Sequence, residues 1–139
     1  MMAFSEIPPE EIRKMDAETL GLAGFCFMAA ELLALKYPAS ELCRLTGSDR
    51  KGFAHVFVCV RGRQVDINGF RDVVMGMRER LNDPNLFPEV VPAKAAHDFF
   101  CRCFKPDQLA AAREVLSRHI EENPRLFPDR PELSESTRR

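Results

Sequence analysis

Cys26, His55 and Asp66 are three residue types that together can turn a thiol into a nucleophile. The attacking species is a thiolate, and backbone N–H groups at a helix N-terminus stabilise one. The same amides can receive the oxyanion of a tetrahedral intermediate. Cys26 stands just after Gly24, where CFMAAELLALKY begins a run of helix-forming residues that Pro38 ends. A nearby imidazole can then take the thiol proton while a carboxylate or amide holds the ring in the required tautomer. A lone cysteine at a helix head is more often a small buried apolar residue, so the argument depends on its partners.

The partners come from a hairpin. AHVFVCV, residues 54–60, is β-branched and aromatic, and Arg61-Gly62 separates it from the short run RQVDI. Both faces of the first strand are largely apolar, which predicts an interior strand covered on both sides, with the Cys26 helix as one cover. A two-residue turn at Arg61-Gly62 sets Phe57 opposite Asp66 and His55 opposite Asn68. All four then share one face, with Asp66 diagonal to His55. A three-residue loop would send Asp66 to the other face. Alone, His55 reads as a core histidine and Asp66 as a turn residue; together with Cys26 they favour catalysis. Asp66 ranks above Asn68 as the orienting group because its charge supports an imidazolium.

The remaining elements frame this centre. SEIPPEEIRKM, residues 5–15, starts a short peripheral helix at Ser5, and the helix from Cys26 carries Ala29, Ala30 and Leu33 on the cysteine side. Residues 39–53 read as a loop with at most a turn at Glu41 to Leu45. RDVVMGMRERL is helix-like, and NDPNLFPEVVP is a proline-rich connection without regular structure that can wall a substrate groove. Pro92 opens a helix over AKAAHDFFCRCF. Pro106-Asp107 opens another whose Leu109, Ala112, Val115, Leu116 and Ile120 form an apolar stripe. The pattern predicts an α+β fold in one domain over residues 1–122, with 123–139 a charged, flexible tail.

Gly24-Phe25-Cys26 with its alanine-rich helix ending in Tyr37-Pro38, then Ala54-His55-Val56-Phe57-Val58, then Gly62-Arg63-Gln64-Val65-Asp66-Ile67-Asn68-Gly69, resembles the papain-like and transglutaminase-like cysteine hydrolases. The likeness is to small bacterial members and covers roughly residues 20 to 70. It implies a papain-like α+β fold, in which a helix headed by Cys26 packs on a small antiparallel sheet and further helices follow. It also implies a Cys26 nucleophile, a His55 base and an Asp66 orienting residue, acting on an amide or thioester as peptidase, amidase or deamidase. The expected substrate is a protein or peptide, in a housekeeping role or as a toxin or effector, with no cofactor. Members often place a glutamine or asparagine shortly before the cysteine to complete the oxyanion hole. Here Glu18 to Ala23 hold none, leaving Thr19 or a backbone N–H. That departure motivates a rival reading: an inactive papain-like fold serving as a protein-binding module, such as an immunity or adaptor protein.

A second constellation, His97 with Cys101 four residues on, shares a helix face and could ligate a metal. Cys103 points elsewhere on a regular helix and no Cys-x-x-Cys pair completes the set, so packing is expected and no metal. Cys43 and Cys59 read as structural, His119 as a solvated surface group, and Phe99, Phe100, Phe104 and Phe127 as core and lid residues. With 20 basic against 21 acidic residues, the chain lacks the electrostatic footprint of a nucleic-acid binder. No apolar run is long enough for a bilayer, and Met1 to Glu11 does not read as a secretory signal. Five cysteines without a paired spacing argue for reduced thiols. A cytoplasmic protein is expected, unless a specialised system exports it.

Overall fold

A computed structural model describes residues 6–22, 24–47 and 53–129. Along the chain run α1 (Pro9–Ile12), α2 (Ala17–Leu22), α3 (Cys26–Lys36), β1 (Glu41–Thr46), β2 (His55–Val60), β3 (Arg63–Asp66), β4 (Gly69–Phe70), α4 (Val73–Arg80), β5 (Phe87–Val90), α5 (Ala93–Cys101) and α6 (Pro106–Glu122). The fold is α+β. One antiparallel sheet of five strands in the order β4-β3-β2-β1-β5 puts the His55 strand at its centre. Ser5, the loop residues 48–52 and the tail 130–139 lie outside the described residues.

The hairpin register follows from its turn. Arg61 (φ 52°) and Gly62 (φ 82°) both adopt the left-handed conformation that a two-residue hairpin turn requires. Val58 accordingly pairs with Val65 and Val60 with Arg63. Side-chain alternation then directs His55 and Phe57 to one face and Val56, Val58 and Val60 to the other, and all five are buried. Both faces of β2 are covered, with α3 packed against it.

Two segments expected to be irregular are strands. Glu41–Thr46 forms β1, between β2 and β5, and Phe87–Val90 forms the edge strand β5. Neither shows a regular apolar alternation, and cross-strand partners stabilise them. Arg44 lies opposite Glu89, its Nε donating at 2.6 Å to the carboxylate, and its guanidinium sits 5.3 Å from the Phe53 ring centre. Pro88 is tolerated because an edge strand can do without one N–H.

The expected flexible tail does not begin at Asn123. Residues 123–129 pack back on the fold: Phe127 is buried, Tyr37 Oη donates to Pro128 O at 2.6 Å and Lys36 pairs with Asp129 at 2.8 Å. His119 is not simply solvated either. It is partly buried, with Nε2 3.2 Å from Ile67 O and its ring edge against Phe127. Helix α6 thereby grips the turn that follows Asp66.

Helix α2 crosses the same turn at Gly21. A Cβ there would lie 2.5 Å from the Cβ of Ile67, a residue with no exposed surface. Gly21→Ala is expected to cost ~1–3 kcal/mol through overpacking, read as a lower urea midpoint at unchanged slope. No helix among the described residues is long and apolar enough to cross a membrane.

Candidate active site

Cys26 is the first residue of α3. Its Ala29, Ala30 and Leu33 neighbours are buried as the helical spacing predicts. Around the helix head an aromatic cluster excludes solvent: Phe25 lies 4.4 Å from Phe104 and Phe27 stacks on Phe100 at 4.5 Å between ring centres. Helix α5 and the segment after it thus wall the Cys26 end of α3. Phe100 and Phe104 act as cover, in line with the sequence expectation.

His55 opens β2 and Asp66 closes β3. Imidazole Nε2 lies 3.0 Å from Asp66 Oδ2, with both side chains almost wholly buried, 0% and 2% exposed. Burial opposes a charged ring, but the hydrogen bond to Asp66, with the charge of that carboxylate and the nearness of the Cys26 thiol, pushes His55 up to about 9. The structure therefore brings all three residues together. Nδ1, the ring nitrogen not engaged by Asp66, is buried and has no partner of hydrogen-bond geometry among the described residues. Buried polar atoms are rarely left so.

Asp66 has more partners than the hairpin supplies. Oδ1 accepts from Asn68 N at 2.9 Å and Arg71 Nε at 3.0 Å, and Oδ2 accepts from Arg71 Nη2 at 2.5 Å. Burial alone would raise the carboxyl, yet the bonds from His55 and Arg71 hold it below its ordinary 3.8. Asn68 does not face His55 across the hairpin. Strand β3 ends at Asp66, and the chain turns through Ile67 and Asn68 so that Asp66 pairs with Gly69 of β4. Asn68 contributes its backbone N–H to Asp66.

Thr19 sits in α2 with its backbone N–H 2.7 Å from Asp16 Oδ1, and its hydroxyl bonds the same carboxylate. It is committed to the head of α2. Arg71 is the residue that sequence reasoning missed. Its position reads as the entrance of a helix, although a charge five residues beyond Asp66, past a turn, was a visible signal. Gln64, on the His55 face by register, also ties β3 to α4, accepting from Val73 N at 2.8 Å and Val74 N at 3.2 Å.

His97 and Cys101 do share a helix face, with His97 Nε2 3.3 Å from the thiol, and Glu31 of α3 closes on Nδ1 at 2.5 Å. Cys103 lies beyond the end of α5, its thiol directed to Phe99 O. No group of three metal-ligating side chains converges among the described residues. Cys43 is buried beside Cys59 on the adjacent strand, and burial pushes its thiol up to about 12, with Cys59 adding to the effect. Cys59 itself is only partly buried. No family model, curated protein or solved structure matches the chain.

Proposed function

We propose that the protein is a cysteine-dependent hydrolase or transferase of the papain-like kind, acting at an amide or thioester carbonyl. The observation that carries this is the buried His55 ring, bonded through Nε2 to Asp66 and presenting an unpaired Nδ1 in the company of Cys26. Its support includes the order of parts: thiol at a helix head, imidazole on the central strand, carboxylate on the next strand.

Each group has a role that follows from its bonds. Asp66 is ionised and can only accept, so Nε2 keeps its proton, and Nδ1 is the nitrogen that gains and gives one; with His55 raised to about 9, Nδ1 holds that proton near neutrality. The proton on Nδ1 is the one Cys26 gives up, and the sulfur attacks the carbonyl carbon as a thiolate. The C=O electrons move to oxygen, toward amides at the head of α3 that have no partner within the helix. As the tetrahedral intermediate collapses, His55 gives its proton to the departing amine or thiol and an acyl-enzyme remains. Water ends a hydrolytic cycle; an amine ends a transfer.

A second reading rests on the burial of the centre. With Cys26 3% and His55 0% exposed, the same fold can serve as an inactive protein-binding module, an immunity or adaptor protein. Alkylation by iodoacetamide, followed by peptide mass spectrometry, separates the two. The hydrolase requires Cys26 to react faster than the exposed Cys103, and Cys26→Ala to remove activity toward acyl-amide and thioester probes. A Cys26 no faster than Cys103, with probe turnover unchanged in Cys26→Ala, would hand the fold to the binding module.

A further inference from the structure

Resting on the roles proposed for Cys26 and His55, we infer that Arg71 is a positioning residue for His55, acting through Asp66, and that Gly76 is the opening that lets it do so. A carboxylate 2% exposed is costly to bury ionised unless charge and hydrogen bonds compensate it. Arg71 supplies both with one planar edge, Nε on Oδ1 at 3.0 Å and Nη2 on Oδ2 at 2.5 Å. Asn68 N holds Oδ1 as well, at 2.9 Å. The carboxylate plane is thereby fixed, and Oδ2 is the oxygen turned to His55 Nε2. A carboxylate held ionised keeps a proton on Nε2, so the clamp decides which ring nitrogen exchanges a proton with Cys26.

The guanidinium reaches this position by lying over helix α4. A Cβ on Gly76 would stand 2.2 Å from Arg71 Nη1 and 3.3 Å from its Cζ, far inside contact distance. Met77 Sδ lies 3.9 Å from Nη2 and lines the same niche. A glycine within a helix is ordinarily less favourable than alanine. Here the missing side chain is what admits the arginine.

The test compares Gly76→Ala, Arg71→Lys and Arg71→Met with the parent chain. It uses carbon-detected NMR titration of the Asp66 carboxyl alongside the pH profile of Cys26 alkylation. Since Arg71 lowers the Asp66 titration, Arg71→Met is expected to move it to higher pH and to carry the acid limb of alkylation with it. Arg71→Lys, which keeps the charge but not the fork, recovers part of the shift. Gly76→Ala keeps every charged group and improves the helix, yet displaces the guanidinium and shifts both curves the same way. A simple loss of packing predicts no such shared displacement. If Arg71→Met does not fold, the other two variants decide. Unchanged titration and acid limb in folded Gly76→Ala and Arg71→Lys overturn the inference. A parent Cys26 that alkylates like an ordinary thiol sinks the hydrolase reading alone, and the Asp66 titration then decides the clamp.

Discussion

His55→Gln is expected to lower Cys26-dependent turnover by roughly 10²–10⁴-fold, the usual worth of a positioned general base. Glutamine can still donate an N–H to Asp66 from the place of Nε2, so the buried carboxylate keeps a partner. It cannot take the thiol proton. The measurement is steady-state turnover of an acyl-amide probe paired with the alkylation rate of Cys26, and both should fall together. The variant also isolates a pH effect. His55 is raised from 6.5 to about 9, so its protonation adds stability that is complete below 6.5 and is lost as the pH rises through about 9. Melting curves of the parent chain should decline across that window, whereas those of His55→Gln should lack this component. Coincident melting profiles for both chains, together with equal turnover, would refute the assignment.

Asp66→Asn is expected to cost ~3–5 kcal/mol of folding stability, because removing one member of a buried ion pair strands the other. Arg71 would lose both its oxygen partners as anions, and the neutral amide would present a donor where His55 and Arg71 also donate. The sign with pH is opposite to that of His55. A carboxyl held below 3.8 contributes stability that is present above 3.8 and is lost as the pH falls through its lowered value. The parent chain should therefore lose this component on acidification, and the Asn variant should not. Urea unfolding near neutrality and at acid pH measures both effects. A loss below about 1 kcal/mol, in the range of an exposed ion pair, would show that the cluster is not the buried unit described.

Much of the centre was legible in residue order because it is local. The turn Arg61-Gly62 fixes the hairpin register, and register fixes which side chains share a face, so His55 and Asp66 could be placed together from spacing alone. The Cys26 helix was legible for a similar reason: a run of good helix formers bounded by Gly24 and Pro38. Strands β1 and β5 were not, since Glu41–Thr46 and Phe87–Val90 lack an apolar alternation and become strands only by pairing along β2 and each other. The packed segment at 123–129 was missed likewise. Its charge and prolines suggest fraying, but Phe127 is buried against His119 of α6 and Leu126 lies beside Gly69 of β4.

By itself, then, the amino-acid order determined the α+β class, the thiol at a helix head and the imidazole and carboxylate on paired strands. These depend on dihedral preferences and on alternation over a few residues. Only the tertiary structure decided that the Cys26 side chain meets the His55 ring, that Arg71 and not Asn68 holds Asp66, that Thr19 serves Asp16, and that Glu31 comes to His97. Such meetings depend on how helices pack across a sheet. Packing is set by the summed burial and volume of many side chains, which no local pattern encodes.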